Sequence, residues 1–386
     1  MNICFVCNEY PPGPHGGIGT FTQVLGRALV RAGHQVRVIG HYSPNYPGPD
    51  YEEDQGVRVW RLRGPTSRGR WIWARYRLFR YVARWAKAGE IDLVEVPDYQ
   101  GWAAFWPRLE VPVVVRASGC ATCNAFVLNR PADRLMRLLE RWTYIRADAW
   151  LAKSYHVAQM TRTSLNLNTD IKVIIYNLIQ VPTQLKPISQ RQRDAVVFAG
   201  TLSALKGVFS LCQAWSVVIN NYPSASLHMY GKNSFTRDRE SIRQVLESMM
   251  QENVRRSVFF HGHVGREVLL NALAESRIAV FPSYTESFGN APIEAMACGC
   301  ATIYTKRPPG PELVEDGVNG LLVDPDDPNE IADAILRLLQ DDELARRLGE
   351  AGRRLVEERY SVEVILPQNV RFYEECIADF EAKRRL

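Results

Sequence analysis

No apolar run in this chain of 386 residues approaches the ~18–20 that a bilayer-spanning helix requires. No secretory leader is expected either. Met1-Asn2-Ile3-Cys4-Phe5-Val6-Cys7 runs straight into a Pro/Gly turn, with no basic region before it and no apolar segment after it. The expectation is a cytoplasmic protein, or one peripheral on the inner face of a membrane. Cysteine is sparse, at eight residues, and reads first as small buried hydrophobes. The spacings Cys4/Cys7 and Cys120/Cys123 suit a zinc site on paper. In a strand, however, positions three apart point to opposite faces, so Cys4 and Cys7 do not converge on one ion. Acidic residues are absent from 58 to 87, and that gap returns below.

What is present is the balance of a globular protein, with 46% hydrophobic and 23% charged residues. The length exceeds one ordinary core and suggests two domains. The net charge of +5 is uneven, with +9 in residues 1–180 and −4 in the remainder, so the halves face different partners.

Each half alternates short apolar strands with helical stretches, the pattern of a parallel sheet covered on both faces. In the first, strands are expected at Ile3–Cys7, Gln35–Ile39, Leu93–Val96, Val113–Val115, Ala149–Ala152 and Lys172–Ile175. Helices are expected at Phe21–Ala32, Asp133–Arg146 and Tyr155–Leu165. A polar stretch without periodicity, 181–190, reads as a linker. In the second half, strands are expected at Ala195–Ala199, Ser226–Tyr230, Val258–Phe260, Ile278–Phe281, Ala301–Tyr304 and Leu321–Val323. Helices should begin near Lys206, Arg237, Arg266, Pro292, Asn329 and Asp341. The expected domains are 1–182 and 193–360, with a C-terminal helix at about 361–386 packing back on the first. The fold class is α/β, two Rossmann-like domains whose sheets face a cleft, because open α/β sheets bind ligands outside the carboxyl ends of their strands.

Three segments at those ends carry candidate chemistry. His15-Gly16-Gly17-Ile18-Gly19-Thr20 follows the first strand. Its glycines admit close backbone approach and a helix start offers N–H groups to an anion, although a plain tight turn explains it equally. The spacing is not that of a dinucleotide loop, so no nicotinamide cofactor is indicated. Gly200-Thr201-Leu202-Ser203-Ala204-Leu205-Lys206-Gly207 puts a lysine at a helix start, where it suits a diphosphate or is simply exposed. The third segment, Pro282 to Gly299, holds Glu286 in a loop and Glu294 in the expected first turn of a helix. A helix-dipole partner and a paired-carboxylate glycosidase are the alternatives for these acids.

Together these segments resemble glycosyltransferase family 4, the retaining enzymes of the GT-B fold, over nearly the whole chain. Glu286 and Glu294 match its E-x7-E pattern, and Pro309 to Val323 matches the usual continuation. The resemblance implies a transferase that moves a hexose-type sugar from a nucleotide-diphosphate sugar, UDP- or GDP-linked, to a hydroxyl acceptor in a polysaccharide, glycolipid or metabolite. It implies that Glu286, Lys206 and Ser118 serve catalysis. Glu294, Lys206, Thr201, Phe288, Gly289 and Asn290, with Gly16 and Gly17, would bind the donor, and Gly19 and Arg116 the acceptor. No metal and no separate cofactor are implied. Two positions depart from the family: Thr201 stands where an arginine is usual, and Arg116-Ala117-Ser118-Gly119 lacks the usual histidine. Another nucleotide-sugar enzyme such as an epimerase, or a non-catalytic sugar-nucleotide-binding protein, are the alternatives.

Between Arg58 and Lys87 lie ten Lys/Arg and seven interleaved aromatics. Trp71, Ala74, Leu78, Val82 and Trp85 keep a helical spacing. A solvated helix packed on the sheet explains this stretch, and so does an anionic membrane surface. Nucleic acid is the third reading and has no accompanying module.

Overall fold

The computed structural model describes residues 1–13, 15–64, 69–127, 130–236 and 238–385. The helix start expected near Arg237 and the basic residue Arg68 lie outside the described residues. The chain divides into two compact units, Met1–Leu178 with Val362–Leu386, and Ile179–Ser361.

The first unit carries β1 (Asn2–Val6), β2 (Gln35–Tyr42), β3 (Tyr51–Asp54), β4 (Val57–Arg63), β5 (Leu93–Pro97), β6 (Val113–Ala117), β7 (Ala149–Ala152) and β8 (Val173–Ile174). They form one sheet in the order β3-β4-β2-β1-β5-β6-β7-β8. All pairs are parallel except β3 with β4. The helices are α1 (Gly17–Arg31), α2 (Arg70–Lys87), α3 (Ala121–Val127), α4 (Arg134–Arg146) and α5 (Tyr155–Leu165). Central strands read as unbroken apolar runs because both faces are covered. Cys4 packs in one hydrophobic cluster and Cys7 in another, on opposite faces of β1.

The hairpin β3–β4 has no counterpart in the expected strands. Gln55 and Gly56 turn it with both φ positive (49° and 86°), the geometry that matches strand twist in a two-residue hairpin loop. This hairpin breaks up the basic stretch. Arg61 is buried and pairs with Glu52, Arg63 pairs with Asp50 at 2.5 Å, and Arg58 donates to Gln35 at 2.6 Å. Arg58–Lys87 is therefore not one basic face, because its first three cations are bound within the sheet.

The second unit carries β9 (Gln192–Ala199), β10 (Ser226–Tyr230), β11 (Val258–Gly262), β12 (Ser276–Phe281), β13 (Ala301–Thr305) and β14 (Leu321–Val323). They form a wholly parallel sheet in the order β11-β10-β9-β12-β13-β14. Helices α6 (Val208–Asn221), α7 (Ile242–Met249), α8 (Glu252–Arg255), α9 (Arg266–Glu275), α10 (Asn290–Ala297), α11 (Gly310–Leu313), α12 (Pro328–Gln340) and α13 (Asp342–Arg359) surround it. α14 (Val362–Arg385) returns to the first unit, laying Ile365, Phe372, Tyr373 and Cys376 into the core beside β1 and α1.

Each sheet has a topological switch point, where the connection from one strand runs left and the next runs right; in such sheets ligands bind there, outside the carboxyl ends. In the first unit it lies between β1 and β5, and in the second between β9 and β12.

Candidate active site

At the second unit's switch point, β9 is followed by Gly200-Thr201 and the chain tightens through a 3₁₀ turn, Ala204–Lys206, into α6. Gly207 joins the two with φ +68°, and a Cβ there would stand 1.8 Å from the carbonyl oxygen of Pro282. Only glycine allows this approach. Its effect is to press the lysine turn against the loop after β12, where the Tyr284 N–H donates to the Leu205 carbonyl at 2.9 Å. Lys206 Nζ lies 2.5 Å from Glu286 Oε1, and Ser283 donates to the same oxygen at 3.0 Å. Two residues eighty positions apart thus form one charged centre.

That loop then enters α10 through Gly289 (φ +89°), whose missing Cβ leaves room for the buried Tyr304 hydroxyl. The Phe288 ring is buried edge-on against Tyr360 at 5.6 Å, so only the backbone of Phe288 is placed to meet a ligand. Glu294 is the fifth residue of α10, not a first-turn residue, and the first turn holds no acid. A helix-dipole role is thereby removed, since that effect fades beyond the first turn. Its carboxylate is buried and pairs instead with Arg266 at 2.9 Å, from the first position of α9. Sequence reasoning assigned no role to Arg266 or Ser283. The signal for Arg266 was a basic residue opening a helix after a strand end, which is common on surfaces. Thr201 is exposed and supplies no charge.

In the first unit, α1 begins at Gly17, four residues earlier than expected, so Gly17, Ile18 and Gly19 form its first turn. Glu9 fills the place where an anion was anticipated: its Oε1 accepts the Gly19 N–H at 2.9 Å. A Cβ on Gly16 would stand 3.2 Å from that carboxylate, and one on Gly19 would stand 2.1 Å from the Glu9 carbonyl oxygen. The glycines fit the Glu9 segment against the helix.

Ser118 lies just past β6 and is nearly buried, and its N–H donates to Asp98 at 2.9 Å. Burial pushes the Asp98 carboxyl up to about 7, against the lowering effect of that N–H, while Tyr144 donates to its other oxygen at 3.2 Å. Glu140, also buried, accepts the N–H groups of Gln100, Ala121 and Thr122, so two acids from within the unit tie down the loops after β5 and β6.

Arg116 requires a correction. It was expected to meet the acceptor, but it is fully buried. Its guanidinium grips both oxygens of Glu95 at 2.7 and 2.9 Å, reaches Asn369 at 2.6 Å and stacks over Phe21. Tyr373 donates to the same carboxylate at 2.7 Å. The arginine ties α14 to the sheet and has no surface to offer a ligand.

α2 is two-faced. Ala74, Leu78, Val82 and Trp85 are buried, with the Arg37 guanidinium 5.2 Å over Trp85. Arg75 turns inward to the Gln100 carbonyl at 2.5 Å and lies over Trp102, and Arg77 caps the Arg63 carbonyl. The exposed residues are Ile72, Trp73, Tyr76, Arg80, Arg84 and Lys87. At 3.6 residues per turn they fall within an arc of roughly 120°.

The family described as "Glycosyl transferase 4-like domain" matches residues 16–176, and "Glycosyl transferases group 1" matches residues 184–355. The chain is 25% identical to an uncharacterized glycosyltransferase of Methanocaldococcus jannaschii, over 97% of this chain and 98% of that one. Among solved structures, sucrose-phosphate synthase from Thermosynechococcus elongatus superposes with a TM-score of 0.80 at 23% identity, covering 98% of this chain and 100% of that one. Anabaena HepE in complex with UDP-glucose superposes with a TM-score of 0.73 at 17% identity, covering 97% and 100%. The fold is GT-B. The chain belongs to the family 4 type of glycosyltransferases and is a sugar-transferring enzyme. Among its described residues no helix is long and apolar enough to cross a membrane.

Proposed function

We propose that this enzyme transfers a hexose-type sugar, with retention of anomeric configuration, from a UDP- or GDP-linked donor to a hydroxyl acceptor. The observation that carries this reading is the Lys206–Glu286 pair at the second unit's switch point, with Glu294 buried in the helix that leaves the same loop. Glu294 accepts hydrogen bonds from the donor ribose and Glu286 from hydroxyls of the transferred sugar, beside the backbone of Phe288, Gly289 and Asn290. The acceptor oxygen bonds to the anomeric carbon on the face from which the nucleotide departs. The bond from that carbon to the diphosphate oxygen breaks, and the acceptor proton passes to the leaving phosphate. Lys206 neutralises the charge that develops there, an electrostatic contribution that needs no metal or separate cofactor. In the first unit, Gly16 and Gly19 let the Glu9 segment close on α1, Gly17 lies between them in the first turn, and Ser118 would meet the acceptor hydroxyl.

The exposed arc of α2 supports an acceptor presented at an anionic membrane surface. It carries apolar Ile72, Trp73 and Tyr76 toward its N-terminal end, and Arg80, Arg84 and Lys87 toward the other, with no acid on the helix. Aromatic and cationic side chains on one helix face suit a headgroup layer. This reading makes the enzyme cytoplasmic and peripheral.

The test is a thermal-shift panel of UDP-, GDP-, ADP- and TDP-sugars, followed by acceptor trials, because binding to the native state alone raises its stability. One donor should shift the transition, and nucleoside diphosphate should be released only with acceptor present. Rapid turnover of a donor to its epimer would place the protein in another class.

A further inference from the structure

Glu294 is a carboxylate with its side chain 7% exposed, and a buried charge of that kind persists only with a partner. Among the described charged groups around α10, Arg266 is the one that pairs with that carboxylate. Arg353 and Arg191 stand at the other end of the helix, on the carbonyls of Ala297, Cys298 and Gly299. The neighbouring Cys298 thiol is pushed up to about 12 by burial and remains neutral. Arg266 meets Glu294 with Nη1, while its Nη2 is buried without a hydrogen-bond partner. The guanidinium thus carries an unused donor beside a carboxylate that can only accept.

A vicinal diol needs both kinds of group, since each hydroxyl donates one hydrogen bond and accepts others. Resting on the donor-site reading above, we propose that Arg266 holds Glu294 for the donor's ribose and offers its own free N–H, so that the pair reads the 2′,3′-diol. The planar fork of arginine fixes the carboxylate in one orientation, which a lysine point charge does only in part. The placement follows from the fold: α9 leaves the end of β11 and α10 leaves the loop after β12, and the two helices pack so that the first residue of α9 reaches the fifth of α10.

The experiment measures affinities of wild type, Arg266→Lys, Arg266→Gln and Glu294→Gln for UDP, GDP and ADP, and for the 2′-deoxy form of each. Wild type should prefer the ribonucleotide by at least about tenfold. Arg266→Gln should lose most of that ratio, and Arg266→Lys should recover part of it. Should Arg266→Gln fail to fold, the lysine variant carries the test with its reduced ratio. An unchanged ratio in either folded variant makes Arg266 a purely structural ion pair and overturns the inference. Wild type that binds no nucleoside diphosphate refutes the donor-site reading itself. Binding with no preference for ribose refutes only the role of the pair.

Discussion

Replacing Lys206 with alanine should separate catalysis from stability. In the folded protein Nζ lies 2.5 Å from Glu286, with the two side chains 28% and 14% exposed. A pair this open to solvent contributes only about 0–1 kcal/mol, so the variant should fold and unfold near the wild-type temperature. Ser283 still holds Glu286 in place. The loss should fall on the leaving diphosphate, whose charge the lysine meets as the bond breaks. Removing one preorganised electrostatic contact of this kind costs about a hundred- to thousandfold in kcat, or about 2.7–4 kcal/mol. The donor KM should change far less, because the interaction strengthens in the transition state. Acceptor-dependent release of nucleoside diphosphate, followed at saturating donor, reads both parameters. A folded Lys206→Ala enzyme with wild-type kcat would refute the reasoning, as would a loss confined to KM.

Other consequences can be checked separately. Arg116→Met leaves Glu95 buried beside Tyr373 and Asn369, and should cost about 3–5 kcal/mol of first-unit stability in denaturant unfolding, with nucleotide affinity retained. The eight cysteines are all buried, and burial pushes Cys4 and Cys7 up to about 12, so native protein at about pH 8 should resist a disulfide exchange reagent that unfolded protein consumes fully. Wild type should sediment with anionic vesicles at low salt and be released as salt rises, since each basic residue near such a surface contributes about 1 kcal/mol. Arg80→Gln, Arg84→Gln and Lys87→Gln together should abolish this; Trp73, which is exposed, should report the contact where buried Trp85 does not, and wild type left in the supernatant would count against a membrane surface.

Most central strands were legible because their apolar runs are buried on both faces, as in Ile278–Phe281 and Val113–Val115. β4 was not. Val57-Arg-Val-Trp-Arg-Leu-Arg63 alternates as an edge strand does, yet its arginines resemble a basic surface until Glu52 and Asp50 of the hairpin are seen beside them. The start of α1 was hidden because Gly17 and Gly19 read as loop residues, and their helical role depends on Glu9 ten positions away. Local reading placed Glu286 and Lys206 in the connections that follow two neighbouring strands, and only the resemblance gave them roles. It could not find the Arg266–Glu294 pair, which exists only because α9 and α10, from two different strand connections, pack together. Arg116 was misplaced for the same reason: its partners Asn369 and Tyr373 arrive from the far end of the chain.

The central claim, that the second unit binds a nucleotide-sugar through Glu294, is tested most directly by calorimetry of wild type and Glu294→Ala with whichever donor shifts the thermal transition. Loss of a charged hydrogen-bond acceptor for ribose should weaken binding by about 1.5–3 kcal/mol while the variant stays folded. Equal affinity in a folded Glu294→Ala protein, or no measurable binding of any nucleotide-sugar by wild type, would contradict the account.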